Sequence, residues 1–348
     1  MSRRRATVNQ HGLARELGLS QFTVSEALRG SPKVAAGTRA RVVEAAERMG
    51  YRVNASARAT RTGRFGGIAV LRGPLASVYW FPLDLLFGIE YQLDRLSQRL
   101  VMARVPPGAE ADESVFPRLL RELSVDGVLG HCVPEPPAQL PELLKRYAIP
   151  AVWLNVKRPH DSVYPDDVEN GYRAARHVID RGHRRVAFVP ALGAGHYSAP
   201  DRAAGYRNAM EEHGLRPEFV ERPAETDPRD PALRGTLRAL LRREPRPTAI
   251  VTYSFEEAAL TLHVAAEAGL SVPRDLSVIC AAADNLSLGS DVLGITSVEI
   301  AWMPLGCHAV DLLMRKIAAP HRPLDSIAVP PRFREGRTTG PAPGKGGG

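Results

Sequence analysis

The chain has 348 residues, 44% hydrophobic and 24% charged, enough to bury a large core and carry an appended module. Its formal net charge of +8 lies in residues 1–63, where twelve Lys and Arg stand against only Glu16, Glu26, Glu44 and Glu47. A basic module beside a neutral body points to a polyanionic partner, and three scattered cysteines without a CxxC pair argue against a disulfide framework or zinc site. The start lacks the apolar run of a signal peptide, and no stretch approaches 18 apolar residues. The expectation is a cytoplasmic protein with no membrane partner.

In chain order, Asn9 is positioned to cap a helix over Gln10–Leu17 with Leu13, Ala14 and Leu17 as its apolar stripe. Gly18 permits the left-handed turn that ends it. Ser20 caps a second helix whose Val24, Ala27 and Leu28 face inward, and a third runs from about Thr38 to Met49 with Val42, Val43, Ala46 and Met49 buried. Two short helices across a glycine turn, followed by a packing helix, make a helix-turn-helix. That geometry brings Gln21 and Phe22 to the base edges, where Gln can pair with adenine and Phe can pack on a thymine methyl. Thr23, Ser25 and the amides at the helix start suit phosphates. Glu26 is the anomaly on this face. It either accepts from the exocyclic amine of cytosine or repels phosphate in a headpiece that has lost affinity, and pairing with Arg29 fits both.

Residues 51–67, YRVNASARATRTGRFGG, read as a basic connector able to become helical once DNA neutralises Arg58 and Arg61. Beyond Gly67, short apolar runs alternate with amphipathic stretches. Strands are expected at Ile68–Leu71, 125–130 and 150–155, in PTAIVTYS and in LSVICAA. Helices are expected at Leu83–Arg99, in NGYRAARHVID, in RAAGYRNAMEEHG and at Glu256–Gly269. This alternation predicts an α/β fold with parallel sheets and a ligand site beyond the strand ends. Asp166 and Asp167 read as helix caps rather than a catalytic pair. No phosphate-binding glycine loop, nucleophile elbow or metal-ligand spacing is present, so neither an enzyme, a metal nor a cofactor is expected.

The run TVSEALRGSPKVAAGTRARVVEAAERMGYRVNASARATRTG resembles the headpiece and hinge of the lactose-repressor/galactose-repressor (LacI/GalR) family of bacterial transcription regulators. VDGVLG, GYRAARHVIDRGHRRVAFV, RAAGYRNAM, RPTAIVT and AGLSVPRDLSVI extend the resemblance over roughly residues 8–338. It implies an all-α headpiece (6–50), a hinge (51–64) and a periplasmic-binding-protein-like body (65–338) of two Rossmann-like subdomains. The subdomains are expected at about 65–165 with 296–318, and 166–295 with 319–338. The tail, 339–348, reads as disordered.

The resemblance further implies DNA contacts by Asn9, Ser20, Gln21, Phe22, Thr23, Ser25, Glu26, Arg29, Lys33 and Thr38, and in the hinge by Asn54, Arg58 and Thr60. Glu26 stands where the family usually has a base-reading Arg, and Ala35 where a Ser usually caps the third helix. Thr60 replaces the usual minor-groove Leu wedge, which predicts weaker kinking or an operator that bends more readily. An effector cleft would be lined by Tyr79, Trp80, Phe81, Asn155, Arg202, Ser254, Phe255, Asp284 and Ile300, with Arg202 at the position that commonly clamps the ligand. Phe255 and Ile300 replace polar family residues, which predicts an effector less polar than a simple hexose, or none. The expected function is a homodimeric repressor at a palindromic double-stranded operator, modulated by that effector. The alternative is a small-molecule-binding protein with a vestigial headpiece.

Overall fold

The computed structural model describes residues 8–51, 63–73, 81–105, 125–132, 135–191, 195–221, 231–283 and 292–344. The chain divides into two compact units, one ending at Phe65 and the other beginning at Gly66.

The described residues of the first unit form three helices, α1 (Gln10–Leu17), α2 (Gln21–Leu28) and α3 (Ala36–Arg48). Asn9 Oδ1 accepts the Gly12 amide at 2.9 Å, and Gly18 closes α1 at φ 63°, a conformation that costs glycine little. Ser20 Oγ accepts the Thr23 amide at 3.0 Å, while Ala35 leaves α3 without a side-chain cap. Leu13, Val24, Ala27, Val34, Val42, Ala45 and Ala46 form the core. Val43, expected inside, is 40% exposed, because the buried stripe runs through positions 42, 45 and 46 and its neighbour turns away by a quarter of the helix circumference.

The second unit contains, in order, β1 (Gly67–Arg72), α4 (Leu83–Arg95), β2 (Arg99–Arg104), β3 (Gly127–His131), α5 (Gln139–Arg146), β4 (Ala151–Leu154), β5 (Ser162–Pro165), α6 (Asp167–Asp180), β6 (Val186–Val189), α7 (Ser198–Glu212), β7 (Glu218–Phe219), α8 (Pro231–Arg242), β8 (Ala249–Thr252), α9 (Phe255–Glu267), β9 (Ser277–Ala283), β10 (Thr296–Glu299), α10 (Trp302–Ala318), β11 (Ile327–Val329) and β12 (Arg332–Arg334). They build two six-stranded sheets, ordered β11-β5-β4-β3-β1-β2 and β12-β10-β9-β8-β6-β7. Among the described strands all pairings are parallel except β10 with β12.

Both faces of each sheet are covered, as parallel strands require. In β1, Ile68 and Val70 pack with Leu85, Ile89, Leu305 and Leu313, whereas Ala69 and Leu71 pack with Leu140 and Leu144 of α5.

Three expectations are corrected. The helix from Leu83 stops at Arg95, and Arg99–Arg104 is an edge strand; its outer face is exposed, so its sequence lacks the apolar run of a buried strand. Thr296–Glu299 belongs to the second sheet and Ile327–Val329 to the first, which moves two of the three crossovers to about residues 300 and 330. The tail is ordered through residues 338–342: the Ala342 amide donates to the Arg181 carbonyl at 2.9 Å and the Gly340 amide to Ser277 Oγ at 3.0 Å.

Candidate nucleic-acid interface and effector cleft

The first turn of α2 presents Gln21 and Phe22 outward, with Phe22 70% exposed and absent from the headpiece core. An aromatic ring in water on a helix N-terminus has no folding role, but it is suited to packing on a thymine methyl. Thr23 is half-buried, its hydroxyl 2.8 Å from Ser20 Oγ, while Lys33 is exposed and Thr38 half-buried at the start of α3. Ser25 does not face outward as expected. It is buried and accepts from Arg29 Nη2 at 2.8 Å, because position 25 shares the inner side of α2 with Val24. Glu26 accepts from Arg29 Nη1 at 2.8 Å, with its side chain only 12% exposed. The carboxylate is therefore shielded and neutralised within the headpiece. Asn54, Arg58 and Thr60 lie outside the described residues.

In the body, the C-terminal strand ends of the two sheets meet around Asn155, His196, Tyr197, Asp167, Arg202 and Tyr253. Asn155 leaves β4 at φ 56°, a left-handed conformation that Asn adopts more readily than most residues. Its carbonyl lies 3.1 Å from His196 Nε2, and its Oδ1 accepts from the Tyr197 hydroxyl at 3.2 Å. Burial, reinforced by the nearby Asp167 carboxylate, holds the Tyr197 phenol well above its ordinary pKa. Lys157 Nζ reaches Asp201 Oδ2 at 2.5 Å, a second tie between the first-sheet side and α7, and this bond raises the lysine pKa.

Arg202 is held by its own subdomain. Nε donates to Asp167 Oδ1 at 2.6 Å, Nη1 donates to the Tyr253 carbonyl at 3.0 Å, and the guanidinium lies 4.2 Å from the Tyr253 ring centroid. Burial alone would depress this arginine, yet the Asp167 carboxylate overrides it and the pKa is raised. Two glycines make the pair possible. A Cβ on Gly171 would collide with the Arg202 carbonyl, and one on Gly205 with the Val168 carbonyl, so α6 and α7 touch backbone to backbone. Of the two expected caps, Asp166 does cap α6 through the Glu169 amide at 3.1 Å, whereas Asp167 is turned inward to Arg202.

Several expected cleft residues have structural roles. Ser254 and Glu257 form a capping box that starts α9, a pattern readable as Ser-x-x-Glu. Phe255, half-buried, packs against the second-sheet core, and Ile300 lies in the first-sheet core. Phe81 packs edge-on to His131, with ring centroids 5.0 Å apart. Tyr79, Trp80 and Asp284 lie outside the described residues. The polar groups beside Asn155 and Arg202 that the sequence did not reveal are His196, Tyr197 and Tyr253, while Arg72 and His131 end β1 and β3 in register with one another. Buried His131 has its pKa pushed down to about 4, chiefly by burial, with His196 and Arg72 adding repulsion.

A DNA-reading headpiece and a two-sheet body with a polar cleft define a ligand-responsive DNA-binding protein. Residues 11–54 match the model of the lacI family of bacterial regulatory proteins, and residues 175–339 match a periplasmic-binding-protein-like domain. The HTH-type transcriptional regulator AglR of Rhizobium meliloti is 34% identical over 284 residues, 78% of this chain and 77% of that protein. Catabolite control protein A of Priestia megaterium is 28% identical over 317 residues, 88% and 92% of the two chains. Among solved structures, the lac repressor dimer bound to operator and the anti-inducer ONPF matches with a TM-score of 0.76 at 22% identity, covering 96% of this chain and all of that one. The chain belongs to the lacI family: it is a DNA-binding transcription regulator with a periplasmic-binding-protein-like effector domain, not an enzyme.

Proposed function

We propose that the chain acts in the cytoplasm as a homodimeric repressor at a palindromic operator, and that a small molecule in the body cleft shifts its DNA affinity. The observation that carries this reading is the pair Gln21 and Phe22, exposed on the first turn of a capped α2 in a headpiece that holds all of the chain's excess positive charge. Dimerisation is supported by an exposed apolar stripe, Leu83, Phe87 and Tyr91 on one face of α4, with Met303 exposed on the neighbouring α10. A second copy would bury this stripe, and its two-fold axis would be mirrored in the operator half-sites. The connector 51–64 would carry the signal. Ligand between the subdomains favours one arrangement of them, and DNA favours one arrangement of the connectors, so each biases the other. The Lys157–Asp201 and Asn155–His196 contacts are where the subdomains already touch.

The test is selection from a random duplex library by the wild-type protein and by Glu26→Arg. A palindrome whose half-site letters change with the substitution supports a working reader in which position 26 faces bases. Absence of any enrichment by the wild type, with a palindrome recovered by Glu26→Arg, refutes it.

A further inference from the structure

At the opposite end of the second sheet from the cleft, where β6 and β7 begin, lies a cavity of 530 Å³. Its walls include Arg184, Arg185, Arg216 and Arg243, with Glu218 and Phe219 between them. Strand register gathers these residues: Ala187 stands beside Glu218, so Arg185 and Arg216 precede their two strands at the same step. Arg185 donates Nε to the Arg246 carbonyl at 2.9 Å. Arg243 follows α8 and turns Nη2 onto both oxygens of Glu218, at 2.6 and 2.7 Å. Arg184 and Arg216 have no carboxylate within ion-pair distance among the described residues. A further guanidinium, that of Arg207, lies 5.2 Å from the Phe219 ring centroid. Four cations against the single Glu218 carboxylate leave +3 on one cavity, in a body whose total charge is zero.

These guanidiniums are exposed and hydrated, so no single one of them demands a counter-ion. A concavity differs from a flat surface, because walls of low dielectric focus the field of like charges and the summed potential concentrates anions. Number, geometry and size then select the anion. A monovalent one meets only a third of the charge left over. A carboxylate presents two oxygens in one plane, whereas each phosphate group turns three oxygens in different directions. That suits arginine forks carried on three separate elements, the starts of β6 and β7 and the end of α8. The volume is that of a small-molecule site, and Phe219 with Pro217 supplies an apolar wall. We propose that this cavity binds a polyphosphate-bearing small molecule. A nucleoside polyphosphate and a free inorganic polyphosphate share the chemistry. The site lies at the far end of the sheet, so it stands whether or not the cleft holds an effector.

The experiment is calorimetric titration of the full-length protein at physiological salt with tripolyphosphate and ATP, beside orthophosphate and citrate. It is repeated with the cavity pair Arg184→Gln/Arg216→Gln and with a headpiece pair of equal charge loss, Arg15→Gln/Arg41→Gln. All four side chains are exposed, so both variants keep the fold, which unchanged melting curves without ligand check. Tripolyphosphate should saturate one site per chain and bind more tightly than orthophosphate or citrate. The cavity pair should weaken it roughly ten- to a hundredfold, as expected for lost charge-assisted bonds. The headpiece pair should leave it unchanged. ATP that competes with tripolyphosphate supports the site with a nucleotide as its source, and ATP that does not supports it with the free chain. Citrate or orthophosphate binding as tightly, unchanged affinity in the cavity pair, equal loss in both pairs, or no saturable binding overturns the proposal.

Discussion

Arg29 joins two neighbours on α2: its Nη1 lies 2.8 Å from Glu26 Oε1 and its Nη2 lies 2.8 Å from Ser25 Oγ. The carboxylate that looks hostile to a polyanion is thus paired before DNA arrives, and the arginine that looks available for phosphate is occupied. Glu26→Gln removes one negative charge and frees Arg29. The dependence of log affinity on log salt for a non-specific duplex should steepen by about one ion, read by fluorescence anisotropy across a salt series. An unchanged slope would mean that Arg29 leaves Glu26 for phosphate in the wild-type complex as well.

Phe22 separates stability from recognition. With 70% of its surface in water, Phe22→Ala should change headpiece stability by no more than about 0.5 kcal/mol in urea unfolding. Operator affinity should fall by roughly 1–3 kcal/mol, the range for loss of a specific base contact. Val24→Ala, from the fully buried core, should show the reverse order of effects: the headpiece is destabilised first and DNA binding is lost only as a consequence.

The helical unit was readable almost residue by residue because its signals are local: Asn9 and Ser20 as caps, Gly18 as the turn, and an apolar stripe at helical spacing. The body was readable as a class but not in its wiring. Nothing local in TSVE or IAV tells which of two similar parallel sheets a strand will join, and an edge strand such as β2 has no buried run to announce it. The cleft was the least legible part. Arg202 is legible in the sequence, but its partner is not: Asp166 and Asp167 are adjacent carboxylates before one helix, and only Asp166 caps it. Arg72 and His131 are 59 positions apart and become neighbours only through strand register. The Ser-x-x-Glu spacing at Ser254 and Glu257 marks a helix start, and the structure forms the capping box there.

The α6–α7 crossing can be tested through its glycines. Gly171→Ala places a methyl against the Arg202 backbone, where no flexible side chain can yield, so the helices must separate. The expected cost is about 1–3 kcal/mol or more in body stability, together with loss of the Arg202–Asp167 geometry and hence of any ligand response. Calorimetry should show the body transition lowered while the headpiece transition is unmoved. Gly235→Ala, on α8 with open space around its Cβ, is the control and should be neutral to slightly stabilising.

Acid should weaken the body through buried histidines. His131 and His177 are each pushed down to about 4, mainly by burial, from an ordinary value of 6.5. Between those limits the unfolded chain binds more protons than the folded one, so stability rises with pH across that window and is lost as pH falls through it. The pair should make unfolding take up as many as about two protons near pH 5, measured as the slope of unfolding free energy against pH. Replacing half-buried His177 with Gln should flatten that slope, and an unaltered slope would mean that the ring is already hydrated in the folded state.

His177 also belongs to the clasp that orders the C-terminal segment, which gives the last test. Its Nε2 lies 2.9 Å from Thr339 Oγ1, and His183 Nε2 lies 3.1 Å from the Gly340 carbonyl. Thr338, 4% exposed, donates from Oγ1 to the Val278 carbonyl at 2.6 Å and accepts the Val278 amide on its own carbonyl at 2.8 Å. A chain cut after Arg337 leaves β9 with unpaired backbone groups and takes one partner from each of two imidazoles, His177 and His183, which keep only Arg181 Nη1 and Thr248 Oγ1 respectively. At about 1 kcal/mol for each lost bond, and more for each group stranded in the interior, the body should be destabilised by several kcal/mol. A chain cut after Gly344 keeps every one of these bonds and should unfold at the wild-type temperature. Equal stability of the two truncations in urea would show that the clasp adds nothing beyond covering the sheet edge.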